Sequence, residues 1–193
     1  MWTQLIVPAV CAGGAVFIVS ALIWMVFGWH NKDIQPLPDE DGFVQSLGGH
    51  ELRPGLYMWP NCADRSEHGG EAFKARWKAG PWGTINILGG QPNFLRNLIG
   101  TLIVNLLVAY AVAVSIGLVL GGVELTGGVL LTCSMCQVLV PALILGAAIY
   151  CLGGLGNDLF LGKQCRFIGT SFLDGIIFAG VQACVLWWLW PVI

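Results

Sequence analysis

The stretch CSMC, from Cys133 to Cys136, carries two thiols at the spacing of redox pairs and metal clips. Next to a quinone, such a pair could serve a membrane thiol or quinone oxidoreductase. That chemistry would also need a second, accessible cysteine pair on the same side. A different cluster lies in MWPNCADRSEH, residues 58–68, which holds Cys62, Asp64, Glu67 and His68, with His50 upstream. Structural zinc takes about four Cys or His ligands, commonly spaced C-x2–4-C and H-x3–5-H. One cysteine followed by one histidine six residues later meets neither spacing, and haem attachment would need CxxCH. The same residues suit a turn: Asn61 and Asp64 form Asx-type turns, and Ser66 can cap a following helix with Glu67 near its start.

Two further residues could do chemistry alone. Asp174 lies inside a long apolar stretch, and an acid there is a functional hypothesis by default, as a proton- or ion-handling carboxylate. His30 follows Trp29 at the end of another apolar stretch and could ligate a pigment or haem iron. The simpler expectation makes it a favourable interfacial residue at a helix C-terminus. No P-loop, dinucleotide-binding, HExxH or GxSxG pattern occurs. No metal site and no cofactor is expected.

The elements that must position these groups follow from composition. The 193 residues are 56% hydrophobic and only 10% charged, with mean hydropathy +0.74. A soluble domain carries about 25% charged residues. The chain therefore reads as a membrane protein, and with net charge −2 and no basic tract, nucleic acid is not an expected partner. Four apolar stretches, near 4–29, 97–121, 128–154 and 167–190, reach the roughly 20 residues that span a bilayer core. Short connections between the last three predict an antiparallel four-transmembrane-helix bundle, an all-α membrane protein. Its parts are a first helix over 1–29, a cap domain over 30–96, and helices 2 to 4 over 97–193. The N-terminus lacks a positive leader region, so the first helix reads as retained.

All nine Lys and Arg fall in the 1–2 and 3–4 connections, and Lys32, Arg96, Lys163 and Arg166 lie close to span ends. The positive-inside rule then puts both connections in the cytoplasm and both termini outside. Trp24 and Trp29 would mark the inner interface, and Trp2, Trp187, Trp188 and Trp190 the outer one. The long 1–2 connection reads as a small α+β cap. LPDEDGFVQSLGG and SEHGGEAFKARWK read as helices, and PGLYMWP and GTINILGG as strands that pair.

Inside the bundle, Thr101, Asn105, Ala109, Ala113, Gly117 and Gly121 recur every four residues. Small residues at this spacing let helices approach closely, the main route to packing in lipid. Ala9 with Gly13, and Ala142 with Gly146, repeat the pattern, while Pro8 and Pro141 should bend or soften their helices. Among intramembrane polar residues, Asn105 and Asp174 lie at similar depth from the inner side, and Gln137 and Gln182 from the outer. They read as two tiers of interhelical hydrogen bonds. Thr170, Asp174, Phe178 and Gln182 share one face of the last span.

The segments WMVFGWHNKD (24–33), LPDEDG (37–42), PGLYMWPNCAD (54–64), FLDG (172–175) and WWLWP (187–191) resemble a family of small bacterial membrane proteins. The resemblance implies a bacterial inner-membrane location and transfers no activity or catalytic residue. The expectation for function is a non-catalytic integral membrane protein, an accessory or structural subunit of a larger respiratory, photosynthetic or transport complex. Its partners would be the lipid bilayer and other membrane subunits or further copies of itself. The alternatives are a small-solute or ion transporter using Asp174 and an oxidoreductase using Cys133 and Cys136.

Overall fold

Long apolar runs have no polar side chains or water to satisfy their backbone, so they close hydrogen bonds within themselves as helices. The computed structural model describes residues 2–62, 64–125 and 135–191. Among these, four helices are long and apolar enough to cross a membrane: Thr3–Phe27, Phe94–Gly121, Gln137–Phe160 and Cys165–Trp188. The first is α1 (Ile6–Leu22), preceded by a 3-10 turn and continued by a π turn, Ile23–Phe27. The second is α4 (Phe94–Leu125). The third joins a π turn, Met135–Leu139, to α5 (Val140–Ala147) and a second π turn, Ala148–Leu152. A short helix, α6 (Leu155–Phe160), carries the third span into the stretch read as its connection to the fourth, and α7 (Cys165–Trp188) completes the set. Cys133 and the side chain of Cys136 lie outside the described residues, and the dithiol expectation with them.

The two prolines act differently. Pro8 occupies the first turn of α1, where a missing N–H breaks no intrahelical bond, and the helix runs on. Pro141 is the second residue of α5, one residue past the π turn Met135–Leu139, where the regular ladder is already interrupted.

The chain divides into two units, Met1–Gln35 with Phe94–Ile193, and Pro36–Asn93. In the first unit, α1 runs against both α4 and α7, and α5 against α7. The close contacts fall at glycines. A Cβ on Gly13 would sit 2.8 Å from the backbone of Asn105 and Leu106, and one on Gly175 2.7 Å from the Cys151 thiol. Gly146 meets Ala179 in the same way, at 3.2 Å. Leu5, Ala9, Ala12, Ala109, Val112, Ala113, Ile116, Val138, Ala142, Ala183 and Leu186 form one buried cluster drawn from every span.

The second unit holds α2 (Glu40–Gly48), β1 (Gly55–Trp59), α3 (Glu71–Ala79) and β2 (Gly83–Ile87). The two strands read from the sequence pair antiparallel, with Tyr57 opposite Ile85. Asp39 opens α2 by accepting from the Gly42 amide at 3.0 Å. The helix expected over SEHGGEAFKARWK is broken at Gly70, which is extended (φ −71°, ψ 151°). This leaves a 3-10 turn, Arg65–Gly69, before α3. Asp64, not Ser66, supplies the cap, accepting from the Ser66 amide at 2.9 Å.

Candidate functional site

The polar centre of the molecule lies where the end of the first span meets the start of the last. Gly28 adopts a left-handed conformation (φ +64°), which a side chain would strain, and it stops the span. The 3-10 turn Trp29–Lys32 follows. In a 3-10 turn, residues three apart eclipse, so His30 and Asp33 point the same way, toward α7. On α7, Arg166, Thr170 and Asp174 are each four residues apart and form the facing stripe.

These two stripes interlock. His30 Nε2 lies 2.9 Å from Asp174 Oδ2, and His30 Nδ1 lies 2.8 Å from Asp33 Oδ2. The Trp29 indole N–H donates to Asp174 Oδ1 at 3.2 Å. The Thr170 hydroxyl donates to Asp33 Oδ2 at 2.6 Å, and Arg166 Nε pairs with Asp33 Oδ1 at 2.9 Å. Arg166 Nη2 also donates to the Trp29 carbonyl at 3.0 Å. Trp24 covers the imidazole from the first span, parallel to it with ring centroids 4.0 Å apart. His30 and Asp174 are each 4% exposed.

The electrostatics are self-contained. Each imidazole nitrogen faces a carboxylate, and Arg166 pairs with the other side of Asp33, so each buried acid has hydrogen-bonding or cationic groups against it. Asp33 is held below the ordinary carboxylate range, chiefly by the Thr170 hydroxyl, with smaller help from His30 and Arg166 against the opposing effect of burial. Chemically, the arrangement can do two things: tie α1 to α7, and pass a proton between Asp174 and Asp33 through the imidazole.

Two expectations change here. Asp174 does not share a tier with Asn105. Its partners are an imidazole and an indole, because the chain turns at Gly28 and carries residues 29–33 back against α7. His30, just past the end of the first span, is buried against α7, and both of its nitrogens face carboxylates, so neither is free for a pigment or haem iron. Asn105 is buried on α4, and its backbone carbonyl lies against Gly13. Ala109, Ala113 and Gly117 are buried, Gly121 is half-buried, and Thr101 is exposed with its hydroxyl bonded to the Asn97 carbonyl at 3.0 Å. Gln137 is half-buried. Gln182 is fully buried. Its Oε1 accepts from the Tyr150 hydroxyl at 2.9 Å, and its Nε2 has no partner among the described residues.

Trp29, Asp33, Arg166 and Thr170 complete the site without having been singled out as partners. The signals were present in the sequence: Asp33 stands three residues after His30, and Arg166, Thr170 and Asp174 are spaced four apart. In the second unit, the cluster around Cys62 is spent on local contacts. Asn61 accepts from the Cys62 amide at 2.8 Å, Arg76 approaches the Cys62 sulfur at 3.7 Å, and the His68 ring packs on Phe73. Among the described residues no group of three His, Cys, Asp or Glu converges as a metal site would require. Compared with known protein families, curated proteins and solved structures, the chain matches none.

Proposed function

We propose that the protein is a non-catalytic, multi-pass accessory or structural subunit of a larger membrane complex. It sits in the bacterial inner membrane as an antiparallel four-helix bundle, with an α+β cap on the cytoplasmic side and both termini outside. One observation carries this reading: the buried charges at the α1–α7 seam are paired with one another. Both nitrogens of His30 and both oxygens of Asp174 and Asp33 engage groups of the same chain. Such a closed set fits a clamp that fixes helix register more naturally than a station waiting for a ligand. Its test is purification from native membranes in mild detergent, followed by native mass spectrometry. The expected result is a defined stoichiometry with other membrane subunits or with further copies. A clean monomer would overturn it.

A second reading has its own support. Asp174, His30 and Asp33 form a hydrogen-bonded line from within a span, and Asp33 is ion-paired with the exposed Arg166; an intramembrane acid beside an imidazole can relay protons. On this reading the protein is a transporter or channel centred on Asp174. Liposomes carrying the protein should leak protons no faster than empty ones if the clamp reading holds. A flux that disappears in Asp174→Ala would establish the transporter instead.

A further inference from the structure

Within the second unit, a cavity of about 370 Å³ opens between the end of β1 and α3. Its lining includes Met58, Pro60, Asn61, His68, Phe73, Lys74 and Trp77, most of them apolar or aromatic. Along one wall the rings of His68, Phe73 and Trp77 follow one another, with centroids 4.9 Å and 5.7 Å apart. Neither the clamp nor any expected turn accounts for this space.

We propose that this cavity binds a small aromatic carboxylate, one or two rings bearing a single anionic group. The volume lies in the range of small-molecule sites, which are mostly apolar with a few polar groups that fix orientation. The ring wall with Met58 and Pro60 supplies flat apolar surface for stacking. Among the described lining residues Lys74 is the fully charged side chain, and it is a cation. Its present partner, Glu71 at 2.9 Å, is 91% exposed, and an exposed pair of this kind holds its lysine weakly. An incoming carboxylate can therefore take Lys74 over, while Asn61 and the His68 ring lie on the same rim as further polar contacts. An anion is selected over a cation because, among the described residues, the lining offers a lysine and no carboxylate.

The inference is independent of the accessory reading and is tested on the full chain in lipid nanodiscs. The probe is 4-benzoylbenzoate, an anionic two-ring photo-crosslinker, with mass-spectrometric mapping of the labelled peptides. Saturable labelling is expected at residues 58–77, competed by 1-naphthoate and reduced roughly 10-fold or more in Lys74→Glu, the loss of a charge-assisted contact plus new repulsion. Trp77→Leu should weaken it through lost stacking. A hydrogen-exchange profile of each variant matching wild type over β1 and β2 shows that the unit has remained folded. Should a variant lose that profile, Lys74→Gln, which removes only the charge, takes its place. Equal labelling by neutral benzophenone, or labelling unchanged in the charge variants, would overturn the proposal.

Discussion

Removing His30 leaves Asp174 facing an empty space in the bundle and Asp33 short of a partner. His30→Ala should therefore cost about 3–5 kcal/mol, the usual loss when one member of a buried charged set is deleted. Asp174→Asn keeps an acceptor for the Trp29 indole and should cost less, about 1–3 kcal/mol. The double variant should lose less than the sum, since both changes break one contact. Unfolding in mixed micelles by denaturing detergent measures all three. Asp33 adds a pH dependence with a definite sign. Its folded carboxyl is held below the unfolded value, near 3.8, so its contribution is complete above that value and is lost as pH falls through the folded one. The thermal midpoint of the wild type should drop from about pH 5 to about pH 3 more steeply than that of Asp33→Asn. Parallel curves would show that Thr170 and Arg166 do not single out the ionised form.

At the scale of elements, the helices are held by surface shape more than by polar contacts. Gly13 and Gly14 are neighbours on α1 with opposite surroundings: a Cβ on the first would strike α4, and one on the second would meet nothing within 4 Å. Gly13→Ala should cost about 1–3 kcal/mol from forced helix separation. Gly14→Ala should stay within about 0.5 kcal/mol of wild type. Equal effects would mean that glycine acts through backbone flexibility instead of close approach. The i, i+4 stripe on α4 was legible in the sequence because small residues at that spacing have few other uses in a lipid-embedded helix. Thr101 carries the same spacing but is exposed, so the buried part of the stripe ends before it. Spacing defines a face; the packing of the helices defines how much of it is used.

For the whole molecule, the two units differ in how they bury themselves. The bundle has a core shared by every span, whereas none of the described residues between 36 and 93 is fully buried. Amides of β1 and β2 should thus exchange with deuterium orders of magnitude faster than those of α1 and α4 at mid-span. Comparable protection would mean that a partner covers this unit in the purified protein. The same contrast explains why Trp59, Trp77 and Trp82 remain exposed, at 40%, 49% and 60%. Large exposed aromatics are among the residue types enriched at protein interfaces.

Hydrophobic run length by itself determined that four helices can cross a membrane, and residue pattern that short strands and helices lie between the first two. These are local properties, since each run must satisfy its own backbone and each short element carries its own pattern and breakers. The identity of the site was decided only by tertiary structure. Depth counting paired Asp174 with Asn105 because it treats each span as a straight rod ending at the interface. The left-handed Gly28 instead folds Trp29, His30 and Asp33 back onto α7, joining residues 144 positions apart in the chain. A single backbone angle, which sequence periodicity does not encode, converts an isolated acid into one end of a closed network of charges.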